Sequence, residues 1–477
     1  MKTLLLNPPS FENFDGGAGS RYQATREIKS FWYPVWLAYP AGLIKESRLL
    51  DAPAHGIPPE ETLQIVRDYD FAVFFTSTPG FKSDIRLAEM MKDVKSEIKV
   101  GFVGPHVSVQ VEESLNASRA VDFVARREFD YSVAEFAWGK KIEEIGGISF
   151  RKNGRIVHNP DRPAIEDLDS LPFVVEIFKR DLDFTRYNIP YLLYPYVSFY
   201  TSRGCPAHCT FCLWPQTMSG HRWRTRSSDN VVAEVQRALA LFPGAREIFF
   251  DDDTFTWDKS RVLELCKKLK PLKFTWSCNS RVTTDYETLR AMKEAGCRLL
   301  VVGFESGDPT ILKNIKKGAT VQQALTFSKD CKQAGIMIHG DFQIGHPGES
   351  YETIERTVQF AMKLDPQTMQ VSISHPYPGT EFFRYLEEHG YFITAEMTDE
   401  LGHQLPNIQY PGLSRREIVE AVENFYGRYY FRPRIIFRIL RRAILDSRER
   451  KRLTREAREF FQLRARRKKF VRSQQTC

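Results

Sequence analysis

Between about Tyr191 and Gly412 the sequence alternates six times between a short apolar run and an amphipathic stretch, and nothing else in it restricts the fold as strongly. Strands are predicted near Val197–Thr201, Glu247–Phe250, Phe274–Ser277, Arg298–Phe304, Met337–Ile344 and Thr368–Ser374, with helices such as Asn230–Leu241 and Tyr351–Leu364 between them. Buried strands that alternate with helices pair in parallel, and at this spacing they form a complete or partial α/β barrel with its chemistry at the C-terminal strand ends. Those ends carry a cysteine cluster, Asp251-Asp252-Asp253, Asn279-Ser280-Arg281, Glu305-Ser306, His346-Pro347-Gly348-Glu349 and His375-Pro376-Tyr377-Pro378-Gly379-Thr380. Polar clusters after six successive strands are hard to obtain by chance.

The preceding residues, to about Pro190, have buried runs at Thr3–Leu6, Leu49–Leu50, Phe71–Phe75, Val100–Val103 and Val121–Ala125, separated by helix-like segments. This pattern predicts a doubly wound parallel sheet over residues 1–160, closed by a hairpin around Asn153-Gly154, with a linker over 161–190. Ligands of such sheets sit where the strands end, here Asn7-Pro8-Pro9, Asp51–Gly56, Thr76-Ser77-Thr78-Pro79-Gly80 and Gly104-Pro105-His106. No GxGxxG follows the first strand, which disfavours a nicotinamide or flavin dinucleotide.

Residues 413–477 read as a basic helical region. Ser414 and Glu417 form a capping box, and from Pro433 a second helix places Ile435, Ile436, Ile439, Leu440 and Ile444 on one face among arginines. Of the net charge of +8 in 477 residues, this region holds 20 Lys and Arg against 7 Asp and Glu, so the remainder is mildly acidic. The tail admits a solvated helical face, an anionic lipid surface or a nucleic-acid patch. The opening Met1–Pro9 is too short in apolar residues for a signal peptide, and no run approaches the ~18 residues of a membrane span, so the cytoplasm is the expected location.

Three of the eight cysteines, Cys205, Cys209 and Cys212, lie within eight residues. Three thiolates spaced CxxxCxxC can hold three irons of a cubane cluster and leave the fourth open to a substrate or cofactor, whereas zinc would want a fourth ligand such as His208. Three unrelated thiols are the remaining alternative. The segment Arg203-Gly204-Cys205-Pro206-Ala207-His208-Cys209-Thr210-Phe211-Cys212 resembles the radical S-adenosylmethionine (SAM) superfamily, and the resemblance extends through Glu247–Phe255, Gly303–Ser306 and Gly340–Glu349. It implies a 4Fe-4S cluster on the three cysteines, with SAM chelating the open iron and yielding a 5′-deoxyadenosyl radical on reduction by a flavodoxin or ferredoxin type of donor. It also implies a SAM site of Phe211, Asp252 and Asp253 (amine side), Ser280 and Arg281 (carboxylate side) and Glu305 (ribose), although Asp251–Asp253 suit helix capping as well as ligand contact.

The N-terminal region resembles the cobalamin-binding, Rossmann-like domain of the B12-dependent radical SAM class, through the strand before Asn7-Pro8-Pro9, Gly104-Pro105-His106 and Asp122-Phe123. The resemblance implies cobalamin near Asn7, Pro8, Ser77, Thr78, Gly104, Pro105, His106 and Glu128. Asp51 and His55 are spaced DxxxH and not DxHxxG, which argues against a histidine on cobalt, and Arg127-Glu128 stands where many relatives have Gly-Glu. A domain of this descent that has lost cobalamin is the alternative.

A resemblance over nearly the whole chain is to the hopanoid-biosynthesis radical SAM proteins of bacteriohopanetetrol cyclitol ether formation. It rests on Phe11–Tyr22, Ser30-Phe31-Trp32-Tyr33-Pro34, Asn159–Pro163, Cys212-Leu213-Trp214-Pro215-Gln216-Thr217 and Trp276-Ser277-Cys278-Asn279. It implies a hopanoid lipid substrate whose glucosamine ring is contracted to an aminocyclitol, and it favours a tail that rests on the inner face of the cell membrane over one that binds nucleic acid. His346 stands where those relatives have Leu and reads as either a substrate-site variation or a tolerated surface change, the latter being the expectation. The competing functions are a cobalamin-dependent C-methyltransferase and an RNA-modifying radical enzyme; a non-catalytic cobalamin sensor would have no use for three cluster thiolates.

Overall fold

The computed structural model describes residues 1–11, 25, 28–399, 402–445 and 447–473; most of the Phe11–Tyr22 motif, and Cys477, lie outside them. The first sheet has seven strands: β1 (Thr3–Asn7), β2 (Ser47–Asp51), β3 (Phe71–Phe75), β4 (Lys99–Val103), β5 (Phe123–Ala125), β6 (Ile148–Lys152) and β7 (Arg155–His158). Their order is β2-β1-β3-β4-β5-β6-β7, parallel as far as β5 and antiparallel beyond it. Period-two alternation sends Leu4, Leu6, Ala72 and Phe74 into one apolar core and Leu5, Phe71, Val73 and Phe75 into another, so both faces are covered. Asn153 and Gly154 both take positive φ, as the tight hairpin between β6 and β7 requires.

The second sheet has six parallel strands in sequential order: β8 (Tyr196–Phe199), β11 (Glu247–Phe250), β12 (Trp276–Asn279), β13 (Cys297–Glu305), β14 (Met337–Ile344) and β15 (Thr368–Ile373). Between β8 and β11 a short antiparallel ribbon, β9 (Ser202–Arg203) with β10 (Arg224–Thr225), brackets the cysteine loop. The fold is α/β, with a doubly wound sheet followed by a partial (β/α)6 barrel. Because β8 and β15 do not pair, each presents an open edge, and tyrosine hydroxyls cover both. Tyr33 donates to the Tyr196 carbonyl at 2.9 Å on β8. On β15, Tyr430 bridges the N–H and C=O of Met369 at 3.1 and 2.9 Å, Tyr426 accepts from Val371 N at 2.9 Å, and Gln404 accepts from Ile373 N at 3.1 Å. Edge groups that would otherwise recruit a foreign strand are thereby satisfied.

Residues 161–190, expected as a linker, are packed structure. The helix Val174–Asp181 buries Val174, Val175, Ile177 and Phe178, and Tyr187 stacks on Tyr33 at 4.0 Å. The helix Val35–Leu43 is buried from Val35 to Ala41, as a helix wedged between two layers must be. One core therefore runs from the first sheet into the barrel.

The C-terminal region is helical, with Ser414 and Glu417 forming the capping box of Arg415–Tyr430, followed by Pro433–Leu445 and Ser447–Ser473. The isoleucine stripe is split: Ile435 is buried, whereas Ile436, Leu440 and Ile444 are exposed beside Phe437 and Leu445. Several tail arginines are paired with the body. Asp365 takes Arg432, Arg434 and Arg438 at 3.0–3.2 Å and Glu355 takes Arg428, while within the C-terminal region Glu423 takes Arg464 and Arg467. Among the described residues no helix is long and apolar enough to cross a membrane.

Candidate functional site

The cysteine loop leaves β8 through a turn that only glycine fits. Gly204 has φ +86°, and a Cβ there would lie 2.3 Å from the Arg222 carbonyl oxygen. Gln216 staples the loop, its Nε2 donating to the carbonyls of Cys209, Thr210 and Cys212 at 2.9–3.3 Å while its Oε1 accepts from Glu381 N at 2.8 Å. The base is anchored by two buried arginines that lie opposite each other on the ribbon. Arg203 makes a two-pronged bond to Asp130 at 2.8 and 2.9 Å between the rings of Trp36 and Tyr39; Arg224 pairs with Glu128 at 2.5 and 2.9 Å. Both carboxylates come from the N-terminal domain.

Cys205, Cys209 and Cys212 all line one cavity of about 310 Å³. Burial raises the thiol pKa of Cys205 and Cys209, so iron binding would have to draw off their protons. Among the described residues no three His, Cys, Asp or Glu side chains are grouped to hold a single ion, whereas a cubane gives each cysteine its own iron. His208 does not line the cavity and stacks on His221 at 4.2 Å, which is not where a fourth zinc ligand would stand.

Of the residues expected around SAM, Phe211, Asp253, Ser280, Arg281 and Glu305 line this cavity. Asp253 accepts from Gly204 N and Ser219 Oγ at 3.1 and 3.0 Å. The Ser280 hydroxyl lies among Thr256, Thr284 and the Arg281 carbonyl, and Arg281 donates to the Lys317 carbonyl at 3.2 Å. Glu305 sits where the register of β13 on β14 shifts, at φ +61°, a bulge that turns its carboxylate inward. Its Oε1 accepts from Lys317 Nζ at 2.8 Å, its Oε2 has no partner, and burial raises its pKa against the pull of Lys317. An orphaned carboxylate oxygen buried in the wall suits a hydroxyl-bearing ligand.

Asp252 departs from expectation. Both its oxygens are taken by the backbone and hydroxyls of Thr201 and Ser202, so it braces the loop and does not line the cavity. Helix capping, the other role considered for this aspartate run, falls to Asp258. His346 is fully buried, not on the surface: it packs on Phe211 and Phe382, and burial, aided by Lys317, lowers its pKa to about 3, leaving it neutral.

Around the first sheet, Asn7-Pro8, Ser77-Thr78 and Gly104-Pro105-His106 end β1, β3 and β4, flanking the point where the winding reverses. Asn7 donates to Asp51 at 2.8 Å, and Ser77 accepts from Gly80 N. His106 is buried, its Nδ1 3.2 Å from Thr78 Oγ1 and its Nε2 without a partner; burial lowers its pKa to about 4. Gly104, at φ +114°, lies so close to Thr76 that a Cβ would meet its carbonyl oxygen at 2.6 Å. Glu128 is not available to a ligand here, because Arg224 and Ile165 N saturate it. Arg127 has φ +58°, which explains glycine at the matching position in the relatives it resembles. His55 is occupied at both nitrogens, by the Asp51 carbonyl and Asp183 N.

Several cavity residues were given no role at the site by the sequence argument: Trp32, quoted only within a motif, Tyr191, Lys317, and the inward positions Asp341 and Gln343 of β14 and Gln370 and Ser372 of β15. Polar residues two apart in otherwise apolar strands were the signal for the last four. His375 was visible at a strand end; it lines the cavity, neutral with a pKa pushed down to about 3 by burial, and neither ring nitrogen has a partner.

Residues 199–361 match the Radical SAM superfamily and residues 24–137 the B12 binding domain. An uncharacterized methyltransferase of Pyrococcus horikoshii is 30% identical over 465 residues, covering 93% of this chain and 97% of that protein. The anaerobic magnesium-protoporphyrin IX monomethyl ester cyclase of Cereibacter sphaeroides is 24% identical over 437 residues, 85% of this chain and 68% of that one. Among solved structures, the cobalamin-dependent SAM radical enzyme OxsB, with aqua-cobalamin and SAM bound, has the same fold: TM-score 0.69 at 14% identity, over 97% of this chain and 72% of that chain.

Proposed function

The chain belongs to the cobalamin-binding radical SAM enzymes, and from that premise we propose that it removes a hydrogen atom from an unactivated carbon in the polar head of a lipid. The observation that carries this is the single cavity in which three cysteine thiols share walls with Asp253, Arg281, Glu305 and the neutral His375. When bound, the cluster with SAM supplies a carbon radical, and cobalamin a one-electron store or a methyl carrier. Cys205, Cys209 and Cys212 would hold the cluster; Asp253 would serve the amine of SAM, Ser280 and Arg281 its carboxylate, Glu305 its ribose hydroxyls, and Phe211 would pack beside it. Asn7, Pro8, Ser77, Thr78, Gly104, Pro105 and His106 would hold cobalamin, with His55 kept from cobalt by its two bonds.

Asp341, Gln343, Gln370, Ser372 and His375 offer the carboxylate, amide, hydroxyl and imidazole groups that suit a ring rich in hydroxyls. With the motif resemblance, they favour a glucosaminyl hopanoid whose ring is contracted to an aminocyclopentitol. Joining the anomeric carbon to the ring carbon that bears the hydroxymethyl group, with the ring oxygen kept as a hydroxyl, gives an isomer and adds no carbon. Sugar C–H bonds are too weakly acidic for the side chains here to ionise, which is why a radical is needed. The exposed Phe437, Leu440, Ile444 and Leu445 beside tail arginines favour docking on an anionic membrane face.

C-methylation is the second reading, favoured by the name of the Pyrococcus relative, whereas the name of the Cereibacter relative is that of a ring-forming enzyme. Anaerobic reconstitution with iron, sulfide and cobalamin, followed by mass analysis after incubation with glucosaminyl hopanoid and SAM, separates them. A product of unchanged mass that separates from the substrate on chromatography and no longer loses an intact hexosamine on fragmentation supports ring contraction. A product one CH2 heavier, with S-adenosylhomocysteine, establishes methyl transfer.

A further inference from the structure

At the opposite end of the barrel, where β14 and β15 begin, lies a second cavity of about 420 Å³. Met369 of β15, Ile439 and Leu440 of Pro433–Leu445, and Leu453, Phe460 and Phe461 of the last helix give it apolar walls. It shares Tyr191 and Gln370 with the cluster cavity. The ring of Tyr191 stacks on His339 at 3.9 Å and its carbonyl is held by Arg298 at 2.7 Å, so a fixed aromatic wall separates the two spaces on one side.

We propose that this chamber holds the apolar body of the lipid substrate while its polar head lies among Asp341, Gln343, Gln370 and Ser372 beneath the cluster. The proposal rests on the reading that the cluster cavity is where hydrogen is removed. Three observations support it independently of any motif. The two cavities adjoin, with Tyr191 and Gln370 in the walls of both, so a ligand seated in one can extend toward the other. Beside the cluster the walls carry carboxylate and amide groups, whereas aliphatic and aromatic side chains make the second cavity mainly apolar, with Arg438, Arg452 and Glu456 among its lining; that is the order of groups in an amphiphile. The chamber is bordered by Ile436, Leu440 and Phe461, all exposed, and apolar groups left open to water at its rim suit entry from a bilayer; Arg438 and Arg452 of its lining are paired with Asp365 and Glu456.

The test uses the full-length, cofactor-loaded enzyme and dehydroergosterol, a fluorescent polycyclic alcohol, as the probe. Ala457 is exposed at the chamber wall and accepts a larger side chain without repacking the core. Ala457→Trp is expected to weaken probe binding at least tenfold and to raise KM for glucosaminyl hopanoid similarly. Release of 5′-deoxyadenosine from SAM alone, and turnover of the water-soluble glucosaminyl head without the polycycle, should stay within twofold. Leu440→Gln, which makes the same wall polar without filling it, should weaken the probe in the same direction. Unchanged probe affinity in both variants would overturn the chamber assignment while leaving the reaction intact; a parent enzyme that releases no 5′-deoxyadenosine would instead overturn the reaction reading and leave the probe result standing.

Discussion

The two ends of the barrel are finished by different parts of the chain and in different chemical terms. At the C-terminal strand ends, the loops belong to the barrel itself, and buried carboxylates brace them: Asp252 holds the hydroxyls and N–H groups of Thr201 and Ser202, Glu305 holds Lys317, and carboxylates from the other domain hold Arg203 and Arg224. At the N-terminal ends, helices more than forty residues beyond the last strand supply a wall of aromatic and aliphatic groups, fixed by tyrosine hydroxyls on an edge strand. The reacting end displays its polar groups on short loops that ion pairs and hydrogen bonds from distant residues lock in place, whereas the other end is closed by apolar packing of helices from outside the barrel.

The sharpest test of that contrast is Cys209→Ala. Iron binding and 5′-deoxyadenosine release should fall to background, with the melting temperature of the metal-free protein within a few degrees of the parent. A variant that still cleaved SAM reductively would break the assignment of the reacting end. The next effect in size is on the brace. Glu128→Ala leaves Arg224 buried without its counter-charge and should cost roughly 3–5 kcal/mol by denaturant unfolding. Its cobalamin content per folded molecule should be unchanged, since Glu128 is spent on the arginine; selective loss of cobalamin would restore it as a ligand.

Glu349 sharpens the comparison through pH. Burial lifts its carboxyl to about 8, against the bonds it accepts from Gly345 and His346 N–H. The folded state then holds a proton that the unfolded state releases above the usual 4.5, so stability should fall as pH rises from about 5 to about 8 and then level off. Glu349→Gln keeps the neutral shape and should be the more stable protein at pH 8, by a few kcal/mol at most, with the difference vanishing near pH 5. Parallel stability curves for the two proteins would refute it. At the other end, Tyr430→Phe removes the hydroxyl that serves Met369 and should cost about 1–2 kcal/mol, visible as faster amide exchange along β15 and not elsewhere. Smallest of all, His55→Ala should leave bound cobalamin and its spectrum unchanged, and a changed spectrum would place this imidazole on cobalt after all.

Legibility in the sequence followed the same divide. Strand positions were readable because buried parallel strands are continuous apolar runs, and the boundaries at Phe71–Phe75, Glu247–Phe250 and Met337–Ile344 agree with the structure. The cysteines, Asp253, Ser280, Arg281 and Glu305 were readable because the chemistry is confined to short loops at strand ends. Asp252 and Glu128 have the right residue type in the right place, yet local sequence cannot say which partner consumes a carboxylate, and Thr201, Ser202 and Arg224 had done so. Residues 161–190 looked like a linker because their prolines mask an amphipathic helix whose partner faces lie far away in the chain. Lys317 left no local pattern, and the stripe of Ile436, Ile439 and Leu440 was legible as an apolar face but not as the wall of a chamber, since its neighbours are set by contacts across the barrel.

The guanidinium–carboxylate brace at the cysteine ribbon also bears on how such a protein can be inherited or engineered. Its two cations come from the barrel and its two anions from the sheet before it, and all four are removed from water. A barrel expressed from residue 191 onward would fold with two buried positive charges and nothing to balance them, and an N-terminal domain grafted from elsewhere would have to bring a matching pair of acids. The two halves are therefore a poor source of interchangeable parts: exchange between lineages has to carry the acids and the arginines together or replace all four with hydrocarbon at once.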